Sequence, residues 1–441
     1  MGHRPRALLV ATLALIAVGS AALGGRQFPL SVPTPNPSGL AQTLVNGRTV
    51  ERDEPFFENL GTNGRTCVTC HMPNQGWSIE PSEVQRRFET TNGRHPLFRL
   101  VDGAVSPYAD DSTVAARREA YALLLSRGVI RVGLPIPVGA EFELLDVDDP
   151  YGFASSRELS LFRRPLPSTN LGFLTAVMWD GRESQVGRMI HNDLMLQAND
   201  ATVGHAEAPP IDETTRRRIA DFELRLTTAQ THDGRAGRLT ADGAAGGPEA
   251  LAAQPFWFGI NSRLDPSSLS DNVFTVFGAW LTAVGGRGAA RQAIARGETL
   301  FNSLVLPAPN NTRHACAGCH NTPNVGSNST ASFFDVGIAN VSDLRPRSAG
   351  MPLYTLRCLS GPSAGETIQT TDPGRALVTG KWSDIGRFKV PVLRGLAARA
   401  PYFHDGSAAT LEDVVDHYDL RFSLGLLDQE KADLVAFLKA L

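Results

Sequence analysis

Four of the five cysteines in this 441-residue chain occur in two copies of one pattern, Cys-x-x-Cys-His. The first copy comprises Cys67, Cys70 and His71, and the second comprises Cys316, Cys319 and His320. This spacing is the attachment signal for c-type haem, in which both thiols bond to the vinyl groups and the histidine binds the iron. A single copy could be a thiol redox pair or half of a zinc site. Two copies that each carry a histidine predict two covalently bound haems.

Four further segments contain recognisable motifs. They are Trp179-Asp180-Gly181-Arg182, Gln197 with Glu207 ten residues later, Phe388 to Arg394, and Pro401 to Ser407 around His404. Together with the two haem motifs, they make the chain resemble the bacterial diheme cytochrome c peroxidase superfamily, including its MauG-like branch. The resemblance covers most of the chain from about Asn59 onward. It implies a reaction with hydrogen peroxide at the N-terminal haem.

The residue opposite His320 decides the chemistry of the second haem. In the plain peroxidases of the family, a methionine fourteen residues after the histidine that matches His404 binds this iron. The corresponding residue here is Tyr418, as in the MauG-like branch. A phenolate is a hard anion that favours high oxidation states, whereas a thioether favours ferrous iron. The resemblance implies ligation by Tyr418, with His417 and Met351 as competing ligands and a core tyrosine as the structural alternative.

The first haem is the expected peroxide site, with His71 on one face of the iron and the other face open. Peroxide activation needs a base that takes one proton and returns it to the departing oxygen. The resemblance gives this role to Glu207, with Gln197 and His404 in the same pocket. It also places Trp179 between the haems, as an electron relay. Surface exposure is the alternative for Glu207, and core packing is the alternative for Trp179.

Several features remain open from the sequence. His95 could bind the first iron, His205 could join its pocket, and Cys358 could be a buried thiol or form a cross-link. The resemblance also raises a calcium ion between the domains, held by an asparagine and by carbonyls such as those of Arg399 and Pro401. The place of that asparagine falls within residues 163–167, which contain two arginines, so Asn170 would have to replace it.

The N-terminus has the pattern of a secretory signal peptide. Arg4 and Arg6 precede an apolar run from Ala7 to Val18, and small residues follow. We expect residues 1–24 to be removed on export to the bacterial periplasm, which leaves no membrane span. An uncleaved segment would instead anchor the protein. The 42 basic and 45 acidic residues argue against a nucleic-acid partner.

The elements that must position these residues are predicted to be mainly helical. Helices are expected from a cap at Asp111 and Ser112 to Ser126, over Glu213 to Gln230, Ser268 to Val284 and Ala289 to Phe301, after a capping box at Thr410, and over Asp428 to Leu441. No strongly alternating strand is evident. We predict a flexible leader (25–45), a peroxidatic haem domain (46–231), a Gly/Ala-rich linker (232–254) and a second haem domain (255–441), both domains being cytochrome c-like.

These observations predict a periplasmic oxidoreductase that reduces hydrogen peroxide at the first haem and oxidises an external donor through the second. In the MauG-like branch the donor is a side chain of another protein, and Tyr418 favours this alternative. In plain peroxidases the donor is a small cytochrome or copper protein. A non-catalytic electron carrier with two six-coordinate irons is the rival from another class. Thiol exchange at the Cys-x-x-Cys pairs is a further alternative.

Overall fold

A computed structural model of the chain describes residues 32–46, 53–184, 187, 189–306, 315–342 and 346–441. The predicted signal peptide lies outside these residues. The helices described are α1 (Pro81–Thr91), α2 (Val114–Ala120), α3 (Ala122–Arg127), α4 (Ile190–Ala206), α5 (Glu213–Leu224), α6 (Gly247–Ala252), α7 (Gly288–Ser303), α8 (Cys316–Cys319), α9 (Ala376–Thr379), α10 (Leu411–Phe422) and α11 (Asp428–Ala440). None of them has the length and apolar composition needed to cross a membrane.

The described residues also contain strands, which the sequence analysis did not predict. They are β1 (Thr34–Asn36), β2 (Gly39–Val45), β3 (Ile130–Leu134), β4 (Phe142–Asp148), β5 (Leu159–Arg163), β6 (Leu226–Asp233), β7 (Gly237–Arg238), β8 (Phe333–Phe334), β9 (Leu353–Cys358), β10 (Thr367–Thr370) and β11 (Phe388–Lys389). They pair antiparallel in four small sheets, ordered β1-β2-β6-β7, β10-β9-β4, β3-β5 and β8-β11. The helical expectation therefore holds only in part.

The sheet β1-β2-β6-β7 corrects two predictions. Residues 34–45 of the predicted flexible leader form β1 and β2, and β2 pairs with β6 along its length. The helix predicted over Glu213 to Gln230 ends at Leu224, and β6 begins at Leu226. Both faces of β6 are buried from Leu226 to Gln230, so its sequence lacks the alternation that identifies a half-exposed strand.

The predicted linker is part of the C-terminal core. Ala236 and Leu239 are fully buried and belong to the same apolar cluster as Trp280. A Cβ atom at Gly246 would lie 2.6 Å from the Leu239 carbonyl oxygen, so only glycine permits this close approach. Part of residues 232–254 is therefore packed against the core, and part is exposed. The domain boundaries remain a prediction.

Helices α7, α10 and α11 pack around the segment that carries the second haem motif. α7 and α11 cross closely at Gly297, where a Cβ atom would lie 2.0 Å from the Asp433 carbonyl oxygen. The capping box at Thr410 and Asp413 is present and begins α10 as predicted. The helix predicted over Ser268 to Val284 is wrong, since only short 3-10 turns form there. The amides of Val276 and Phe277 donate to the Glu298 carboxylate instead of to helical carbonyls.

The helix predicted to begin at Asp111 or Ser112 begins slightly later, because a different residue caps it. Its cap is Thr113, whose hydroxyl accepts a 3.0 Å hydrogen bond from the Ala116 amide, rather than Asp111 or Ser112. Tyr121 then interrupts the helix between α2 and α3. Gly128 ends α3 with a φ of 62°, as the sequence indicated.

Candidate functional site

The first of two large cavities contains the N-terminal haem motif. Cys67, Cys70 and His71 line it. The Nδ1 atom of His71 lies 3.1 Å from the Trp77 carbonyl oxygen, so Nδ1 carries the proton and Nε2 keeps a lone pair. Burial lowers the pKa of His71 to about 4, which keeps the ring neutral, as a metal ligand must be.

The second cavity contains the C-terminal haem motif in the same arrangement. Cys316, Cys319 and His320 line it, and His320 Nδ1 donates to the Gly326 carbonyl oxygen. Burial lowers the pKa of His320 to about 4. In both motifs a backbone carbonyl six residues later therefore fixes the tautomer and orientation of the histidine.

Tyr418 lines the second cavity from α10. Its ring stacks on Phe422 with an interplanar angle of 9°, and burial raises the pKa of the phenol. His417 does not line this cavity, and its Nε2 contacts the Val336 carbonyl oxygen at 2.9 Å. Met351 is buried in a separate cluster with Phe162. The structure therefore brings Tyr418, but neither competing residue, into the cavity of His320.

Trp179 stands in the wall that the two cavities share. It lines both, together with Arg164, Lys389 and the prolines on either side of Leu166. Its Nε1–H donates to the Arg164 carbonyl oxygen at 2.9 Å, and its own carbonyl accepts from the Lys389 amide at 2.9 Å. These bonds to neighbouring segments fix the indole between the cavities, where the resemblance placed it.

A buried ion cluster secures this wall. Arg163 donates to Asp180 at 2.5 Å and binds both carboxylate oxygens of Asp372, at 2.7 and 2.9 Å. Burial would raise the pKa of Asp180, but the charge of Arg163 outweighs it and holds this pKa at about 2. Because Asp180 follows Trp179 directly, the clamp also restrains the tryptophan.

His404 lies on the side of the second cavity, which corrects the prediction that it shares the pocket of the first haem. Its ring stacks on Phe388 at a centroid distance of 4.0 Å and meets Trp179 edge-on at 6.3 Å. Its Nε2 is 3.9 Å from an Asp372 oxygen. His404 therefore supports the shared wall instead of facing the first haem.

Helix α4 supplies one wall of the first cavity. Gln197, Ala201 and His205 line this cavity at successive intervals of four residues, which places them on one helix face.

Glu207 lies outside the first cavity, which corrects the prediction that it faces the haem there. The residue is exposed and ends α4 with a φ of 54°. Its Oε2 accepts a 3.0 Å hydrogen bond from Asn63. The left-handed backbone at Glu207 turns its side chain away from the face that carries Gln197 and His205. His205 remained undecided in the sequence, and the four-residue spacing on α4 places it on the cavity face.

Two other undecided residues lie apart from the cavities. His95 lines neither, and its Nδ1 accepts a 3.1 Å bond from the Leu97 amide. Cys358 is buried at the end of β9, where its thiol donates to the Ser360 carbonyl oxygen at 3.1 Å. It is a free thiol.

Three buried cations provide a test of whether haem fits these cavities. Lys389 and Arg164 line both cavities, and Arg399 lines the second. Burial lowers the pKa of Lys389 to about 7 and the pKa values of Arg164 and Arg399 to about 10. Among the described residues none of the three forms an ion pair with a carboxylate. The propionates of a haem would supply the missing anions, and the cysteine and histidine of each motif line the same cavities, so the residues present fit the group.

Comparisons with known proteins agree with the motifs. No protein-family model matches the chain. Cytochrome-c peroxidase IdrP1 of Pseudomonas sp. (strain SCT) is 32% identical in an alignment that covers 36% of this chain and 42% of the relative. Methylamine utilization protein MauG of Methylorubrum extorquens is 28% identical in an alignment that covers 37% of this chain and 38% of the relative. Over these segments the chain is similar to cytochrome-c peroxidases and to MauG. The comparisons thereby confirm the resemblance.

These matches span less than half the length of either relative. Among solved structures, one described as a MauG-like protein associated with microbial copper homeostasis aligns over 94% of both chains, with a TM-score of 0.41 and 16% identity.

Three of the motif cysteines are unsuited to thiol exchange. Burial raises the pKa of Cys67 and of Cys70, and it raises the pKa of Cys316 to about 12. Thiol exchange proceeds through the thiolate, which a raised pKa disfavours. The thiols line the cavities, where they are placed to attach a cofactor.

The carbonyl oxygen of Arg399, which the resemblance assigned to a calcium ion, is bound by Arg164 in this structure. The guanidinium is buried and donates to five backbone carbonyls: Ile79 at 2.5 Å, and Arg127, Gly128, Arg399 and Ala400 at 3.3 Å each. Asn170 cannot replace the missing asparagine ligand, since its amide exchanges two hydrogen bonds with the backbone of Thr228. A calcium ion beside Arg164 would meet a second positive charge and share its acceptors.

We predict that Arg164→Leu lowers the free energy of unfolding by about 3 kcal/mol or more, because each buried acceptor left unsatisfied costs about 1–3 kcal/mol. Chemical denaturation of the wild type and the variant measures this difference, and the exposed Arg157→Leu serves as the matched control. We also expect a calcium chelator to leave the thermal midpoint of the wild type unchanged. A lower midpoint after chelation would contradict the assignment of this place to Arg164.

Proposed function

We propose that the protein is a periplasmic diheme oxidoreductase that reduces hydrogen peroxide at the first cavity and oxidises an external protein donor through the second. The observation that carries the proposal is the difference between the cavities. Tyr418 enters the cavity of His320, whereas the wall of the first cavity is formed by Gln197, Ala201 and His205 on α4. Such a difference favours one iron that stays open to a small ligand and one that is capped.

The residues that line the two cavities suggest a separate role for each cavity. Bound haem would supply the redox chemistry, with Cys67, Cys70 and His71 holding one group and Cys316, Cys319 and His320 holding the other. The Gln197 amide can orient peroxide in the first cavity. Trp179, in the shared wall, offers an aromatic route for electrons between the two sites. The ion cluster of Arg163 keeps this route rigid.

The donor is best sought among other proteins. A hard phenolate at the second iron favours stored oxidising equivalents, as in the MauG-like branch, in which a side chain of a partner protein is modified. The alternative donor is a small cytochrome or copper protein, and the peroxidase name of one relative favours it. Both alternatives require a soluble reductant to approach the second cavity.

Two measurements on the purified holoprotein separate these functions. We expect hydrogen peroxide to change the absorption spectrum of the diferric protein, the change to outlast mixing by minutes, and a reduced small cytochrome to be oxidised only slowly. Rapid cytochrome turnover without a persistent spectral change would refute the MauG-like function and support a plain peroxidase. A spectrum that ignores peroxide would refute both and leave the electron carrier.

A further inference from the structure

A charged chain of three side chains ends in the first cavity. Arg65 Nη1 donates to Asp102 Oδ2 at 2.6 Å, and the same oxygen lies 2.6 Å from His205 Nδ1. Arg65 and Asp102 are each only 4% exposed. Arg65 also donates to the carbonyl oxygens of Pro96, Leu97 and His205. The Asp102 carboxylate therefore stands at a fixed point beside the helix end that carries His205.

The carboxylate determines which nitrogen of His205 can react. Burial would raise the pKa of Asp102, but the Arg65 charge and the hydrogen bond from His205 outweigh it and hold this pKa at about 2. Asp102 is thus a permanent acceptor for Nδ1–H, and Nε2 of His205 is left to accept or return a proton.

The position of His205 connects the cavity with solvent. Its side chain lines the first cavity on the same helix face as Gln197, with the small Ala201 between them. It is also 40% exposed, which places it at the mouth of the cavity. Glu207, which the resemblance named for proton transfer, points outward and is bound to Asn63.

We propose that His205, positioned by Asp102 and Arg65, is the proton-transfer residue for peroxide in the first cavity. This inference rests on the proposed function. His205 Nε2 takes the proton from one oxygen of hydrogen peroxide and returns it to the other as the O–O bond breaks and water leaves. The donor protein supplies two electrons, and two protons enter from solvent at the exposed edge of His205, so that one hydrogen peroxide becomes two waters.

His205→Gln tests this role, because glutamine keeps the size and polarity of the side chain but cannot carry the proton. We expect the stopped-flow rate of the peroxide reaction to fall on the order of a hundredfold. Cyanide gives an independent readout, since hydrogen cyanide must also lose its proton to bind ferric iron, and its association rate should fall as well. His191→Gln is the matched control: His191 lies on α4 and pairs with Asp221 at 2.8 Å, outside the cavity.

Three results would overturn the assignment. Unchanged peroxide and cyanide rates in His205→Gln would remove His205 from proton transfer. A loss in Glu207→Gln without one in His205→Gln would return the role to Glu207. A resting spectrum that changes from low-spin to high-spin in His205→Gln would make His205 an iron ligand. If the wild type ignores peroxide while its cyanide association still depends on His205, the proposed peroxide function fails, and only the ability of His205 to transfer a proton in the first cavity stands.

Discussion

Replacing Cys316 and Cys319 together by alanine is expected to halve the haem content and abolish oxidation of the donor, while peroxide still reacts in the first cavity. Both thiols line the second cavity with His320 and Tyr418. Without the thioether bonds, the haem there has no covalent attachment. The first cavity keeps its own cysteines and histidine, so the variant should lose donor oxidation but keep the peroxide reaction.

Haem content by pyridine haemochrome, together with peroxide-dependent donor oxidation, measures both effects. Cys67→Ala with Cys70→Ala is the reciprocal variant and should lose the peroxide reaction itself. Cys358→Ala is the matched control, since this free thiol lies in β9, away from both cavities. Full donor oxidation in the double variant at Cys316 and Cys319 would show that the second haem is not on the electron route.

Replacing Tyr418 by methionine is expected to raise the reduction potential of the second haem by on the order of hundreds of millivolts, within the roughly 0.8 V that axial ligands span. A soft thioether favours ferrous iron, whereas the phenolate that Tyr418 would supply favours ferric iron. Tyr418→Phe should remove the ligand and leave this haem high-spin. A spectroelectrochemical titration measures the potential.

Tyr402→Phe provides the control for Tyr418. Tyr402 lines the same cavity, but its hydroxyl donates to the Leu396 carbonyl oxygen at 3.1 Å. Its replacement should leave the potential near that of the wild type. An unchanged potential in Tyr418→Met would mean that another residue caps the second iron.

The parts of the site that short spacing encodes could be predicted from the sequence. The Cys-x-x-Cys-His pattern fixes two thiols and a histidine within one turn, and the structure places both sets in cavities. The place of Tyr418 was implied by the resemblance, fourteen residues after His404, and the structure places this residue in the second cavity. Trp179 was assigned to the wall by resemblance alone.

The features that could not be predicted from the sequence depend on contacts between distant segments. Asp102 and His205 are 103 positions apart, and nothing local indicates that they meet. Glu207 matches its family position in sequence, yet one left-handed residue turns it out of the cavity. The contacts of Arg164 could not be predicted, because its five backbone acceptors come from three separate segments. The strand β6 was missed because tertiary burial of both faces removes the alternating pattern.

Electron paramagnetic resonance of the resting diferric protein tests most directly whether one iron is open and the other is capped. We predict one high-spin and one low-spin ferric signal in equal amounts, with cyanide converting only the high-spin signal. Two low-spin signals that cyanide does not change would contradict this assignment and identify a protein that only carries electrons.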